Sequence, residues 1–471
     1  MTSDSGAAAA QDRNAIRAAV ADAHRSEWAF VLAATARVTR DLDAAEECVQ
    51  DAYVAALDAW ERQGVPRNPG AWLTTTARHR ALDTLRRDRT LRAKLPLLIP
   101  EQCREREASA ADGDRAIGDD RLRLVFTCCH PALAREAQVA LTLRLVCGLS
   151  TGEIAKAFLV SESTMAARVT RAKKKISAAR IAYRVPEAAE LPDRLDAVLT
   201  VVHLVFTTGH TAPDGPDLVR ADLVDRAIAL AQMLRKLMPD EREVAGLLAL
   251  LLITDARRAT RTDAQGNLVL LEQQDRSVWD KGRIADGSTL VVESLRGGRP
   301  GRFALQAAIA AVHTEADSYA QTDWPQLLVL YDRLLATWPS PVVELNRAVV
   351  VAMVSGPLAA LDDIIKLEAD GRLDGYHYLP AAKADLLRRL GRFAEARSAY
   401  QAALETADNP AERGFLSGRI AEVSAAYPRK SPARLAAGIG AAGAGERPPG
   451  MCPGADPGRG GVMIAKIGAR R

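Results

Sequence analysis

Apolar residues near the start of the chain recur at intervals of three and four. Ala45, Cys48, Val49, Ala52, Tyr53, Ala56, Leu57 and Trp60 share one helical face, and Asp43, Glu46, Glu47, Gln50 and Asp51 fall between them. This spacing predicts the second of three helices between Arg13 and about Lys94. Gly64, Pro66 and Pro69 predict a loop after it, and a third helix follows from about Gly70 to Arg92. From Leu95 to Asp120 the pattern breaks on Pro96, Pro100, Gly113 and Gly118, which predicts a linker. Periodicity resumes over Arg121 to Tyr183. After Pro186 an Ala/Leu-rich region continues to about Tyr427, and a glycine-rich, basic tail follows that is expected to be disordered. The predicted fold class is all-α, divided into 13–94, a linker at 95–120, 121–184, 185–319, 320–427 and the tail at 428–471.

Within the third segment the punctuation is sharp. Ser150-Thr151-Gly152-Glu153 is a capping box: the serine can cap a helix that the glutamate three positions on closes from the other side. That helix is expected to end near Phe158, and Ser161 can cap the next. Two helices joined by so short a turn form a helix-turn-helix. Ile154, Ala155, Phe158, Val160, Met165 and Val169 supply the packing between them, which leaves Ser163, Thr164, Ala167, Arg168 and Arg171 facing outward. From Ser161 to Arg184 there are seven basic residues against Glu162 alone. Arginine can bond bidentately to guanine, and Lys173 and Lys174 further along are placed to neutralise phosphates. A second basic cluster, Arg78, His79, Arg80, Arg86 and Arg87, lies on the third helix. Trp72 at its start can support an unstacked base.

Composition narrows the class further. The net charge is only +4, from 63 basic and 59 acidic residues, so the basic clusters are local features and not a consequence of a basic chain. Six scattered cysteines suit a reducing cytoplasm. The N-terminus lacks the basic-then-apolar order of a signal peptide, and the longest apolar run, Val244 to Ile253, is too short to span a bilayer. The expected location is cytoplasmic.

In order and spacing, three stretches resemble the extracytoplasmic-function group of sigma-70 factors of bacterial RNA polymerase, over about Arg13 to Tyr183. Asp43 to Tyr53 is similar to the region that docks on the polymerase clamp helices, which implies polymerase-binding roles for Asp43, Glu46, Glu47, Gln50 and Asp51. Asn68 to Leu73 with Ala77 to Arg87 resembles the helix that reads the −10 element, implying Trp72, Arg78, His79, Arg80, Arg86 and Arg87. Gly148 to Ala155 with Thr164 to Lys173 resembles the −35 helix-turn-helix, implying Ser163, Thr164, Arg168, Arg171, Lys173 and Lys174. Many relatives carry Asn where this chain has His79, and Lys where it has Ala166. The resemblance implies core polymerase and promoter DNA as partners, no enzymatic activity and no cofactor.

The C-terminal region adds a regulatory expectation. Leu390 to Ala396 with Tyr400 and Ala403-Leu404 fits half of a tetratricopeptide unit, and Trp324–Trp338 and Val342–Ala360 resemble degenerate earlier units. Helices apolar on more than one face need partners, so the extension is expected to contact the sigma core and control it. The rival reading is a stand-alone helix-turn-helix regulator with a ligand-binding or oligomerisation domain. Enzymatic motifs are weak. Cys128-Cys129-His130 cannot easily wrap a tetrahedral metal, His203 and His210 lack an acidic companion, and no Walker loop, GxSxG or dinucleotide fingerprint occurs.

Overall fold

Three long helices, α1 (Ser3–Thr39), α2 (Leu42–Gln63) and α3 (Pro69–Lys94), pack against one another at the N-terminus. In this computed structural model the described residues are 3–94, 120–158, 160–211 and 218–426. Most of the expected linker and all of the expected tail therefore lie outside them. Asp41 starts α2 by accepting from the backbone N–H groups of Asp43 and Ala44 at 2.8 and 2.9 Å, and Gly64 ends it at a φ of +79°. The apolar stripe of α2 is buried as the spacing requires, except Leu57, which stays exposed.

The chain divides into two units, 1–205 and 206–471. The first is completed by α4 (Asp120–Cys128), α5 (Arg135–Leu141), α6 (Thr151–Ala157) and α7 (Glu162–Ala178), with a π-helical turn over Thr142–Val146. Helix α4 packs on α1, and α7 packs on α5 and α6. Helix α8 (Leu191–His210) crosses the boundary between the units.

In the second unit α9 (Ala221–Leu237), α10 (Arg242–Asp255), α11 (Lys281–Leu295) and α12 (Arg302–Glu315) form one cluster. Helix α10 is buried from Val244 to Ile253, and Gly246 lets it approach α12 closely: a Cβ there would lie 2.6 Å from the Ala304 nitrogen. Before α11 the chain turns at Asp263, whose Oδ1 accepts from the Gln265 and Asn267 N–H groups. Then α13 (Trp324–Thr337), α14 (Pro341–Val354), α15 (Pro357–Asp370), α16 (Tyr378–Arg389), α17 (Phe393–Thr406) and α18 (Pro410–Ala426) pack each on the next. Val342–Ala360 is two helices, because Gly356 takes a φ of +91° and Pro357 opens α15. The only β pairing among the described residues is an isolated bridge between Thr262 and Leu268.

Candidate nucleic-acid interface

Helices α6 and α7 are held by the local chemistry that the sequence announces. Ser150 Oγ accepts from the Glu153 N–H at 3.2 Å, and Glu153 Oε2 accepts from the Ser150 N–H at 2.7 Å. Ser161 Oγ caps α7 through the Thr164 N–H at 3.2 Å. Ile154, Ala155, Met165 and Val169 are buried between the helices. Ser163, Thr164, Arg171 and Lys174 are consequently exposed, with Arg168 partly so. This is the face a recognition helix presents to a major groove.

Helix α3 divides in the same way. Leu73, Ala77 and Ala81 are fully buried, which turns Arg78, His79 and Arg80 to solvent. Asn68 Oδ1 accepts from the Ala71 N–H at 3.0 Å and fixes the start of the helix. Trp72 is half-buried and lies edge-on to Trp60 at 5.8 Å, and the loop at 62–68 that precedes its helix is mostly exposed. Arg80 reaches Asp51 at 3.0 Å, Arg86 pairs with Asp83 at 3.3 Å, and Arg87 is exposed. The basic faces thus lie on two helices, one on α3 and one on α7.

Lys173 lies elsewhere than expected. Its side chain is 8% exposed, and its Nζ donates to Asp43 Oδ1 and Glu46 Oε2, each at 2.7 Å. Glu46 also pairs with Arg144, and Gln50 Nε2 donates to Glu46 Oε1 at 3.4 Å. Burial works against the ammonium, but the Glu46 and Asp43 carboxylates outweigh it and hold its pKa above the ordinary lysine value. A lysine so engaged is not free for a phosphate. Glu46 is likewise buried, so of the acidic stripe on α2 only Asp43, Glu47, Gln50 and Asp51 remain exposed.

Other contacts join the same two faces. Trp28 on α1 is buried and donates from Nε1 to the Leu145 carbonyl at 3.0 Å. Gly148 passes so near the Trp28 ring that a Cβ would sit 3.1 Å from it. The Tyr183 hydroxyl donates to the Ala33 carbonyl at 3.0 Å. The helix-turn-helix is thus docked on α1 and α2, and the ion pairs of Lys173 close one edge of that contact.

Residues 23–90 match the model of Sigma-70 region 2, and residues 123–176 match that of Sigma-70, region 4. The chain belongs to the sigma-70 family. Members of this family are non-enzymatic transcription initiation factors, and the two regions imply binding to core RNA polymerase and promoter DNA. The contact built around Lys173 accordingly joins region 2 to region 4. Residues 194–295 match a family of unknown function. A protein of Rhizobium meliloti (strain 1021), described as uncharacterized, is 43% identical over 398 residues, which cover 84% of this sigma factor and 93% of that protein. No solved structure matches the chain. No helix among the described residues is long and apolar enough to cross a membrane.

Sequence reasoning missed Arg144, Trp28 and the role of Lys173. For Lys173 a signal was available. It lies four residues after Val169 and three before Ile176, on the stripe that α7 buries.

Proposed function

We propose that the chain is a cytoplasmic initiation factor of the extracytoplasmic-function group that directs core RNA polymerase to promoters through both a −10 and a −35 element. Ser163, Thr164, Arg168 and Arg171 read the −35 element, and Lys174 holds a phosphate beside them. Trp72, Arg78, His79, Arg80, Arg86 and Arg87 act at the −10 element. Asp43, Glu46, Glu47, Gln50 and Asp51 dock on the polymerase, and the Lys173 ion pairs are a latch that must release before Glu46 can take part.

The observation that carries this reading is the pairing of a capped, basic recognition helix in region 4 with an exposed basic face on α3 of region 2. A promoter fragment in an electrophoretic shift tests it. The chain with core polymerase is expected to retard the fragment at physiological salt where the chain alone does not. Tight binding by the chain alone would favour a stand-alone regulator.

The extension, about 186–427 with its tetratricopeptide-like helices, is the regulatory part of this proposal. Its support is the run of paired helices from α13 to α18. Such pairs can present a groove to another helix. Truncation after Tyr183 tests it: masking predicts more transcription, assistance predicts less, and an unchanged transcript level from the truncated chain would end the idea.

A further inference from the structure

A cleft of about 990 Å³ opens between the end of α1 and the end of α7, at the edge where region 4 meets region 2. Its lining is strongly basic. Arg37 and Arg123 meet Asp120, and Lys173 meets Asp43 and Glu46. The other three cations, Arg40, Lys174 and Arg180, have no acidic partner among the described residues. Of the carboxylates that face the cleft, Asp41 is engaged in capping α2 and Asp43 holds Lys173. Positive charge therefore exceeds negative charge in one concave space.

The backbone at two of these cations is unusual. Arg40 and Arg180 have φ values of +53° and +49°, and they are the only non-glycine residues with positive φ among the described residues. Each ends a helix. The Arg40 N–H donates to the Ala36 carbonyl at 2.8 Å after α1, and the Ile181 N–H donates to the Ile176 carbonyl at 3.0 Å after α7. Glycine adopts this left-handed helix end without strain and is its usual occupant. The chain places arginine at both ends, and both border the same cleft. Strained backbone that recurs within one concavity points to a demand on the side chains themselves.

We propose that this cleft binds a small polyphosphate-bearing anion of the nucleoside di- or triphosphate class. Arginine forks match phosphate oxygens, and the volume falls at the upper end of the ~300–1,000 Å³ common for small-molecule sites. Ile176 and Ile181 supply an apolar wall for the non-phosphate part. The lining comes from both regions, so the bound anion ties together the arrangement that Lys173 latches. By linkage it opposes any partner that needs the regions apart.

Isothermal titration of the full-length protein with ATP, inorganic tripolyphosphate and a short single-stranded oligonucleotide, all at one ionic strength, tests the site. ATP and tripolyphosphate are expected to bind saturably at one site. Arg40→Gly and Arg180→Gly relieve the left-handed backbone, so each is expected to keep or raise the Tm while weakening binding by about tenfold. Arg333→Gln, at an exposed arginine in the extension, is expected to bind as wild type does. Binding that all three variants retain, or that all three lose equally, would overturn the proposal. So would saturation by the oligonucleotide alone, which would make the cleft part of a nucleic-acid track, or no saturable binding by any probe.

Discussion

Replacing Lys173 with alanine should weaken the fold of the first unit and strengthen its grip on core polymerase. The opposite signs follow from where the side chain lies. Lys173 and Glu46 are each 8% exposed in their side chains, whereas Asp43 is 69% exposed. The Asp43 arm is screened and contributes at most about 1 kcal/mol. Stripping a partner from a buried pair costs about 3–5 kcal/mol when the other charge is left bare. Here Arg144 still holds Glu46, so the loss should be about 2–3 kcal/mol. That energy belongs to the docked arrangement of regions 2 and 4, and it corresponds to a shift of about 30- to 150-fold in its ratio to an open one. If polymerase binds only the open arrangement, its apparent affinity rises by up to that factor, limited by how fully the wild type is closed. Fluorescence anisotropy of labelled protein against core polymerase, beside thermal unfolding, reads both quantities. Lys175→Ala on the exposed face of the same helix should move neither. Unchanged or weaker polymerase binding by Lys173→Ala, together with a lowered Tm, would refute the latch and leave a purely structural ion pair. A double-mutant cycle with Glu46→Gln then measures the coupling directly.

Three further outcomes follow from the same geometry. Arg168→Ala should cost about 1–3 kcal/mol in holoenzyme binding to promoter DNA and relax preference at a single −35 position, as read from a randomised promoter library. His79→Asn, on the exposed face of α3, should shift preference at one −10 position and leave −35 dependence intact in the same library. The latch has a signed pH dependence. Because the folded-state pKa of Lys173 is raised, its contribution is complete below the unfolded lysine value of about 10.4 and is lost as pH rises through the folded value. Unfolding monitored from pH 7 to 9 should therefore show no change attributable to Lys173, and Lys173→Ala should remove a loss of stability seen only in stronger alkali.

What the sequence revealed was what short-range chemistry decides. The capping box at Ser150 and Glu153 and the cap at Ser161 depend on atoms within four residues, and each forms as its sequence requires. The exposed faces of α3 and α7 were legible because their buried stripes recur at helical spacing. The partner of Lys173 was not legible, since Glu46 stands 127 residues away and nothing local pairs them. Charge alone assigned Lys173, with Lys174, to phosphates. Its register with Met165, Val169 and Ile176 places it inside, and for a long cationic side chain register decides burial only when a carboxylate waits there. Glu46 repeats the lesson: it precedes Val49 by three residues and Tyr53 by seven, on the edge of the buried stripe of α2. The left-handed ends at Arg40 and Arg180 had no signal, because a glycine would have announced them and an arginine does not.

Run-off transcription with purified core RNA polymerase tests the central claim most directly. Core polymerase, the full chain and a library of candidate promoters should yield transcripts that start at defined positions and disappear when the chain is omitted. Charge reversal at Glu47 and Asp51 should abolish them with little change in Tm. Transcripts independent of the chain, or none from any promoter while the chain binds duplex DNA tightly by itself, would contradict the account.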